Sequence, residues 1–332
     1  MKKTTFLTLL VLTFAAFCAY IPQSGAWGFY SHKKINRMAV FTLPPEMVSF
    51  FKKHIDYLSE HGIDPDKRSH GVEGEAEKHY IDIDHYGDQP FEVVPKWWKD
   101  ATTKYTEDTL REYGILPWWV EKMSWKLTQA FKDNDKNLIL YYAANFGHYI
   151  ADATVPLHTT QYYDGKIPAQ KGIHAFWETR MPLLYAENYN FMVGRAEYID
   201  NILDRSWNMV TATHNQVDTV FMIEEYLRLN YPEDKMFVLD NSGPVLKKQY
   251  SIEYCDEFKK RSNDMVQRNM RKAILAVGSF WYTCWVNAGQ PDLSKLEDRA
   301  LAKEMKQEEE ETEKMWRTGK PVGRPNPAES EQ

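Results

Sequence analysis

The sequence predicts an all-α protein, on two observations. Apolar residues recur at the three- and four-residue spacing of helices along most of the chain, and the strict alternation of half-buried strands is scarce. The one exception, His79 to His85, is short and reads equally well as an extended loop. The chain has 332 residues, 43% of them hydrophobic and 27% charged, which suits a soluble globular protein with a sizeable core. No internal repeat is visible.

Taken in order, the elements begin with a leader. Lys2 and Lys3 precede an apolar run from Phe6 to Tyr20, followed by the small residues Ser24, Gly25 and Ala26. The run is short for a membrane span, and the pattern reads as a secretory signal peptide over residues 1–26. Phe17 is too bulky to precede a lipid-modified Cys18. Export would end in a periplasm or outside the cell, with Trp27 as the new N-terminus. Pro44 and Pro45 introduce a helix from Glu46. Asn137 to Ala153 is apolar on nearly all sides and reads as a buried central helix, with Pro156 ending it soon after. Ile199, Ile202, Leu203, Val210, Val217 and Val220 mark one long amphipathic segment, and Asp264 to Ala288 another, stopped by Gly289 and Pro291. Beyond Pro291 the composition turns charged: Lys295 to Trp316 reads as an exposed helix, and residues 319–332 as a Pro-rich disordered tail. The expected organisation is a leader over 1–26, a globular domain over 27–290 and a C-terminal extension over 291–332.

The net charge of −6 argues against a protein that grips a nucleic-acid backbone by charge, but leaves open a nuclease whose cations are metal ions. The 11 Trp and 20 Tyr suit a dense core or a surface meeting lipid headgroups or bases. After loss of the leader, Cys255 and Cys284 remain. Pairing in an oxidising compartment and unpaired burial both stay open, and neither makes a disulfide framework.

The chemistry concentrates on histidines and carboxylates. His148 and Asp152 lie four apart on the buried helix, hence on one face, and an inward histidine and carboxylate on an apolar helix need a partner. His158 follows just past Pro156, and His174 and Glu178 repeat the four-residue spacing. Imidazole and carboxylate are the usual ligands of catalytic zinc. Upstream, Asp66 precedes His79 in a polar stretch, and His32 lies five residues after Trp27, whose free amine and carbonyl would chelate a metal after leader cleavage. Asp64 is the alternative to Asp66, and Asp82 and His85 are candidates for orienting His79. His54, His61, His70 and His214 read as surface or supporting histidines.

The order Trp27, His32, Asp66, His79, His148, Asp152, His158, His174, Glu178 resembles the ligand set of the zinc-dependent phospholipase C and S1/P1 nuclease superfamily. Its most specific pieces are the segments Gly147 to His158 and His174 to Glu178. The resemblance spans residues 27–288 and implies a compact bundle of about ten helices around three zinc ions. It assigns one ion to Asp66, His79, His148 and Asp152, a second to His158, His174 and Glu178, and a third to Trp27, His32 and a bridging oxygen of Asp152. It further implies hydrolysis of a phosphodiester by in-line attack of metal-activated water, with Asp66 as orienting group or general base. Lys67 and Arg68 are candidates for touching the phosphate or for lying at the surface.

Glu178 resembles the phospholipase branch, and Gly172–Ile173 departs from the Asn-Leu pair of the nuclease branch. A phospholipid substrate therefore leads, with peripheral membrane contact through Trp97, Trp98, Trp118 and Trp119. Tyr30 stands where the choline-specific enzymes carry Glu. The alternatives are a single-strand nuclease or 3′-nucleotidase acting on single-stranded nucleic acid, with Tyr30, Tyr80 or Phe176 stacking on bases and the Trp before Glu178 favouring that branch, and a zinc-stabilised binding protein without turnover. No feature calls for an obligate protein partner.

Overall fold

The computed structural model describes residues 28–69, 71–240, 247–300 and 303–318. The leader, Trp27, His70 and the tail after 318 lie outside them. As expected, the described chain is overwhelmingly helical. The main helices are α1 (Phe29–Ala39), α2 (Pro45–Lys53), α3 (Ile55–Glu60), α4 (Asp64–Ser69), α5 (Trp98–Tyr105), α6 (Glu107–Glu112), α7 (Leu116–Lys132), α8 (Lys136–Asp152), α9 (Ile202–His214), α10 (Val217–Asn230), α11 (Ile252–Arg261), α12 (Met265–Asn287) and α13 (Lys303–Thr318). Shorter helical turns join them. A composite helix covers residues 173–185, with a π-helical turn at Phe176–Arg180 in its middle.

Helix α8 is the axis of the bundle. Asp135 caps it, its Oδ1 accepting from the backbone N–H groups of Asn137 and Leu138, both at 3.0 Å. From Ala143 to Asp152 every residue is buried, so no face is left for water. Helices α7, α12, α1 and α3 surround it. Close approach of α1 requires glycine: a Cβ on Gly147 of α8 would fall 2.0 Å from Asn36 Oδ1. The Asn36 amide donates to Leu58 O (3.0 Å) and Ala144 O (2.9 Å), tying α1, α3 and α8 together. The core also contains Trp177, Trp281, Phe51 and Phe131, all essentially fully buried.

Several expectations need correction. The segment from Ile199 to Val220 is two helices, broken at Asn215–Gln216. Tertiary ties set the break: the Thr213 hydroxyl donates to Ala153 O (2.9 Å), and His214 Nδ1 bonds Thr159 O (2.9 Å). Ile199 precedes α9, its N–H held by Thr283 Oγ1 (3.0 Å). His79 to His85 is a loop ending in a 3-10 turn, with Ile81 N–H donating to His158 O (2.9 Å) and Asp82 N–H to Tyr113 O (2.7 Å). Strands β1 (Phe237–Asp240) and β2 (Lys247–Tyr250) form an unforeseen antiparallel hairpin, pairing Phe237 with Tyr250. The aromatic face of that pair packs on Phe176.

Past residue 290 the chain keeps docking on the bundle. Leu293 is buried, Glu297 N–H donates to Asn134 O (2.9 Å), and Glu297 O accepts from Lys136 N–H (3.0 Å). Helix α13 then lies against α4, with Lys67 Nζ 3.3 Å from Glu313 Oε2. No helix among the described residues is long and apolar enough to cross a membrane.

Candidate metal centre

The eight expected ligand residues that lie within the described chain converge at one place. His32 comes from α1, Asp66 from α4, His79 from the end of a 3-10 turn, and His148 and Asp152 from the last turns of α8. His158 sits in the 3-10 turn Pro156–Thr159, and His174 and Glu178 one turn apart on the composite helix. Seven of these side chains are buried, and His174, 20% exposed, marks the side nearest solvent.

In the first group, His79 Nδ1 and His148 Nε2 approach to 3.0 Å. Asp152 Oδ2 lies 3.0 Å from the former and 3.2 Å from the latter. Asp66 Oδ1 stands 3.5 Å from His148 and 3.9 Å from His79. In the second group, His158 Nε2 and His174 Nε2 are 3.0 Å apart, with Glu178 Oε2 at 3.4 and 3.0 Å. Between them, the other oxygen of Asp152, Oδ1, faces His32 Nε2 at 3.4 Å and His158 Nδ1 at 3.5 Å. Asp66 Oδ2 also turns toward His32, at 4.0 Å.

These separations fit a metal. Ligand atoms bonded to tetrahedral zinc at its usual bond lengths lie about 3.3 Å from one another. The hydrogen-bond pattern agrees. His148 Nδ1 is 2.9 Å from Gly62 O, and His158 Nδ1 is 2.8 Å from His79 O. With a proton on each of those nitrogens, the inward Nε2 atoms carry lone pairs. Lone pairs facing other nitrogens at 3.0 Å in an interior this dry need a cation or a shared proton between them, and a metal ion fits that place. Both ring nitrogens of His32, Asp66 Oδ2 and Asp152 Oδ1 are buried and make no hydrogen bond within the protein.

The protein's own electrostatics pull the groups apart. Burial pushes the Asp66 carboxyl well above the usual range, with Asp152 and Glu178 adding to it against His79. Burial acts the same way on Asp152, but His148 and His158 outweigh it and hold that carboxyl well below the usual range. His32 is pushed down to about 3 by burial and by His148, on which it stacks. For His79, burial is overcome by Asp152 and Glu75, which push it up to about 10.

The alternatives left open by the sequence resolve geometrically. Asp64 is occupied by His61 (2.6 Å) and Lys67 (3.1 Å), while Asp66 faces the cluster. Lys67 bonds Asp64 and Glu313. Arg68 is not at the surface: it is buried on Asn145 and Glu75. His85 stacks on Tyr113 (centroids 3.3 Å apart), and the carboxylate beside His79 Nε2 is Glu75, which sequence reasoning missed. Its signal was available, since Glu75 precedes His79 by four residues. Of the tryptophans, Trp118 is buried, Trp98 and Trp119 are half-buried, and Trp97 alone of the four is exposed. Phe176 and Trp177 are core. The Tyr30 hydroxyl donates to Glu187, and Tyr80 donates to Glu112 O (3.2 Å). Cys255 and Cys284 are free and buried.

No protein-family model and no curated protein matches this chain. Among solved structures it is similar to the alpha toxin from Clostridium absonum, with a TM-score of 0.46 and 12% identity over 83% of this chain and 66% of that one. It is likewise similar to the Clostridium perfringens alpha-toxin isolated from an avian strain, with a TM-score of 0.48 and 12% identity over 82% of this chain and 66% of that one. The chain thus spans slightly less than two thirds of the length of these toxins.

Proposed function

We propose that this chain is an exported zinc-dependent phosphodiester hydrolase of the phospholipase C type, releasing a phosphorylated headgroup from a phospholipid. The observation that carries the reading is the convergence of five imidazoles and three carboxylates at zinc-ligand separations in a buried site. Asp66, His79, His148 and Asp152 would hold one ion, and His158, His174 and Glu178 a second. His32, Asp152 and the amine and carbonyl of Trp27 would hold a third. When bound, zinc supplies Lewis acidity toward a phosphoryl oxygen and lowers the pKa of water toward neutrality.

The chain's residues supply the rest. Asp152 uses both oxygens, Oδ2 toward His79 and His148 and Oδ1 toward His32, and so would join the first and third ion positions. Asp66 Oδ2, buried and without a hydrogen-bond partner, is the atom assigned to orient the attacking water and take its proton. The carbonyls of Gly62 and His79 fix the ring orientation of His148 and His158. Lys67 and Arg68 are engaged with carboxylates of their own, so the charge of a bound phosphate falls to the cations. Three described side chains form the second group, which leaves a coordination position for substrate or water, as catalytic zinc requires and structural zinc does not.

For the substrate, Glu178 supports the phospholipase branch. The burial of Phe176 and Trp177 removes one of the proposed base-stacking rings and gives the Trp before Glu178 a packing role. Protein beginning at Trp27 is to be tested for zinc content and for hydrolysis of phosphatidylcholine and of single-stranded DNA, each with and without chelator. Chelator-sensitive release of phosphocholine without DNA cleavage is the expected result. DNA cleavage without lipid turnover would move the protein to the nuclease branch, and zinc binding without either activity would overturn the catalytic reading.

A further inference from the structure

Each segment that brings a ligand to the first group also brings a second polar residue, and these meet behind the ligands. Helix α4 carries Asp66 and, two residues on, Arg68. The turn ending at His79 carries Glu75 and Lys78. Helix α8 carries Asn145 and Tyr149 on either side of His148. All but Lys78 are buried. Arg68 Nη2 donates to Asn145 Oδ1 (2.6 Å), lies 3.3 Å from Glu75 Oε1 and approaches the Tyr149 hydroxyl (3.4 Å). Tyr149 donates to Glu75 Oε1, and Lys78 Nζ to Glu75 Oε2 (2.6 Å). Glu75 Oε1 in turn stands 3.8 Å from His79 Nε2, the nitrogen turned away from the cluster, which has no hydrogen-bond partner of its own.

We infer that Glu75 is a positioning residue for the metal centre: locked by Arg68, Tyr149 and Lys78, its carboxylate fixes the His79 ring with Nδ1 toward the ion and raises the ligand's electron density. The inference rests on the metal reading above. Its reasoning is general. A carboxylate on the far nitrogen of a ligating imidazole selects the tautomer and strengthens the ligand. His148 and His158 have neutral backbone carbonyls in that place. His79 has an anion, and that anion is tied by side chains to the two other segments that build the same group. A buried arginine and glutamate do not by themselves stabilise a fold over apolar replacements, so the network suits a role in specifying geometry.

The test is a metal titration. Wild type, Glu75→Gln, Glu75→Asp and the double variant Arg68→Met/Glu75→Gln are stripped and titrated with zinc against a competing chelator and with cobalt, whose absorption reports ligand geometry. Glu75→Gln is expected to lower affinity for one ion roughly 10–100-fold, to change its cobalt spectrum and to leave the other ions as in wild type. Glu75→Asp is expected to recover part of the loss. Should Glu75→Gln fail to fold because buried Arg68 loses the Glu75 carboxylate, the double variant, which removes both charges, decides the matter by the same readout. Wild-type affinity and spectrum in a folded variant lacking the Glu75 carboxylate would overturn this role while leaving the metal reading intact. Absence of metal binding by the wild type would overturn both.

Discussion

Gly147→Ala is the substitution whose effect the structure specifies most closely. The new Cβ would lie 2.0 Å from Asn36 Oδ1 and 2.9 Å from its Cγ, so the amide has to leave its place. Overpacking of this kind costs about 1–3 kcal/mol. Displacing Asn36 also breaks its bonds to Leu58 O and Ala144 O, at about 1 kcal/mol each. Alanine returns about 1 kcal/mol through its better helix propensity. The net expectation is a loss of about 2–4 kcal/mol, which for a domain of this size lowers the melting temperature by roughly 3–7 °C. Thermal unfolding of the metal-stripped protein, followed by circular dichroism, measures it without any contribution from ion binding. Asn36→Ala/Gly147→Ala completes a cycle: if the clash is the cause, the two changes couple and the double variant is more stable than the sum of the singles. A Gly147→Ala protein that melts at or above the wild-type temperature, or strictly additive effects, would refute the argument and leave Gly147 an ordinary helix glycine.

Two further outcomes are expected. Asp152→Ala, which removes the carboxylate between His32 and the His79–His148 pair, should lose metal and nearly all hydrolysis, as should His148→Ala; full turnover by either would sink the assignment of the cluster. Burial pushes the Cys255 and Cys284 thiols up to about 11 and about 12, so little thiolate exists at pH 8 in the folded state. Protein starting at Trp27 should therefore react with a thiol reagent slowly when native and at two sites when unfolded, and rapid native labelling would contradict the burial.

What the sequence determined by itself is what local periodicity encodes. The run from Asn137 to Ala153, apolar on nearly all sides, specified the central helix, because such a helix has to be buried. The four-residue steps from His148 to Asp152 and from His174 to Glu178 placed each pair on one face, because helix geometry relates such residues whatever surrounds them. The resemblance of the ligand order added His32, Asp66, His79 and His158, which no local period connects. The hairpin of β1 and β2 went unseen, since four-residue strands carry too little alternation to stand out, although the Asn241–Ser242–Gly243–Pro244 run between them is a turn signal. The resemblance pointed to Asp66 rather than Asp64, and only the tertiary structure supplied the physical reason. The two are neighbours on one short helix, and the rotation of that helix is set by the distant Glu313 and by His61 and Lys67 holding Asp64 aside. It alone turned Arg68 inward, broke the helix at Asn215, buried Trp118 and set Glu75 behind His79. Each of these depends on what another segment offers in space: a carbonyl, a counter-charge or an apolar wall. No pattern within a single segment records that.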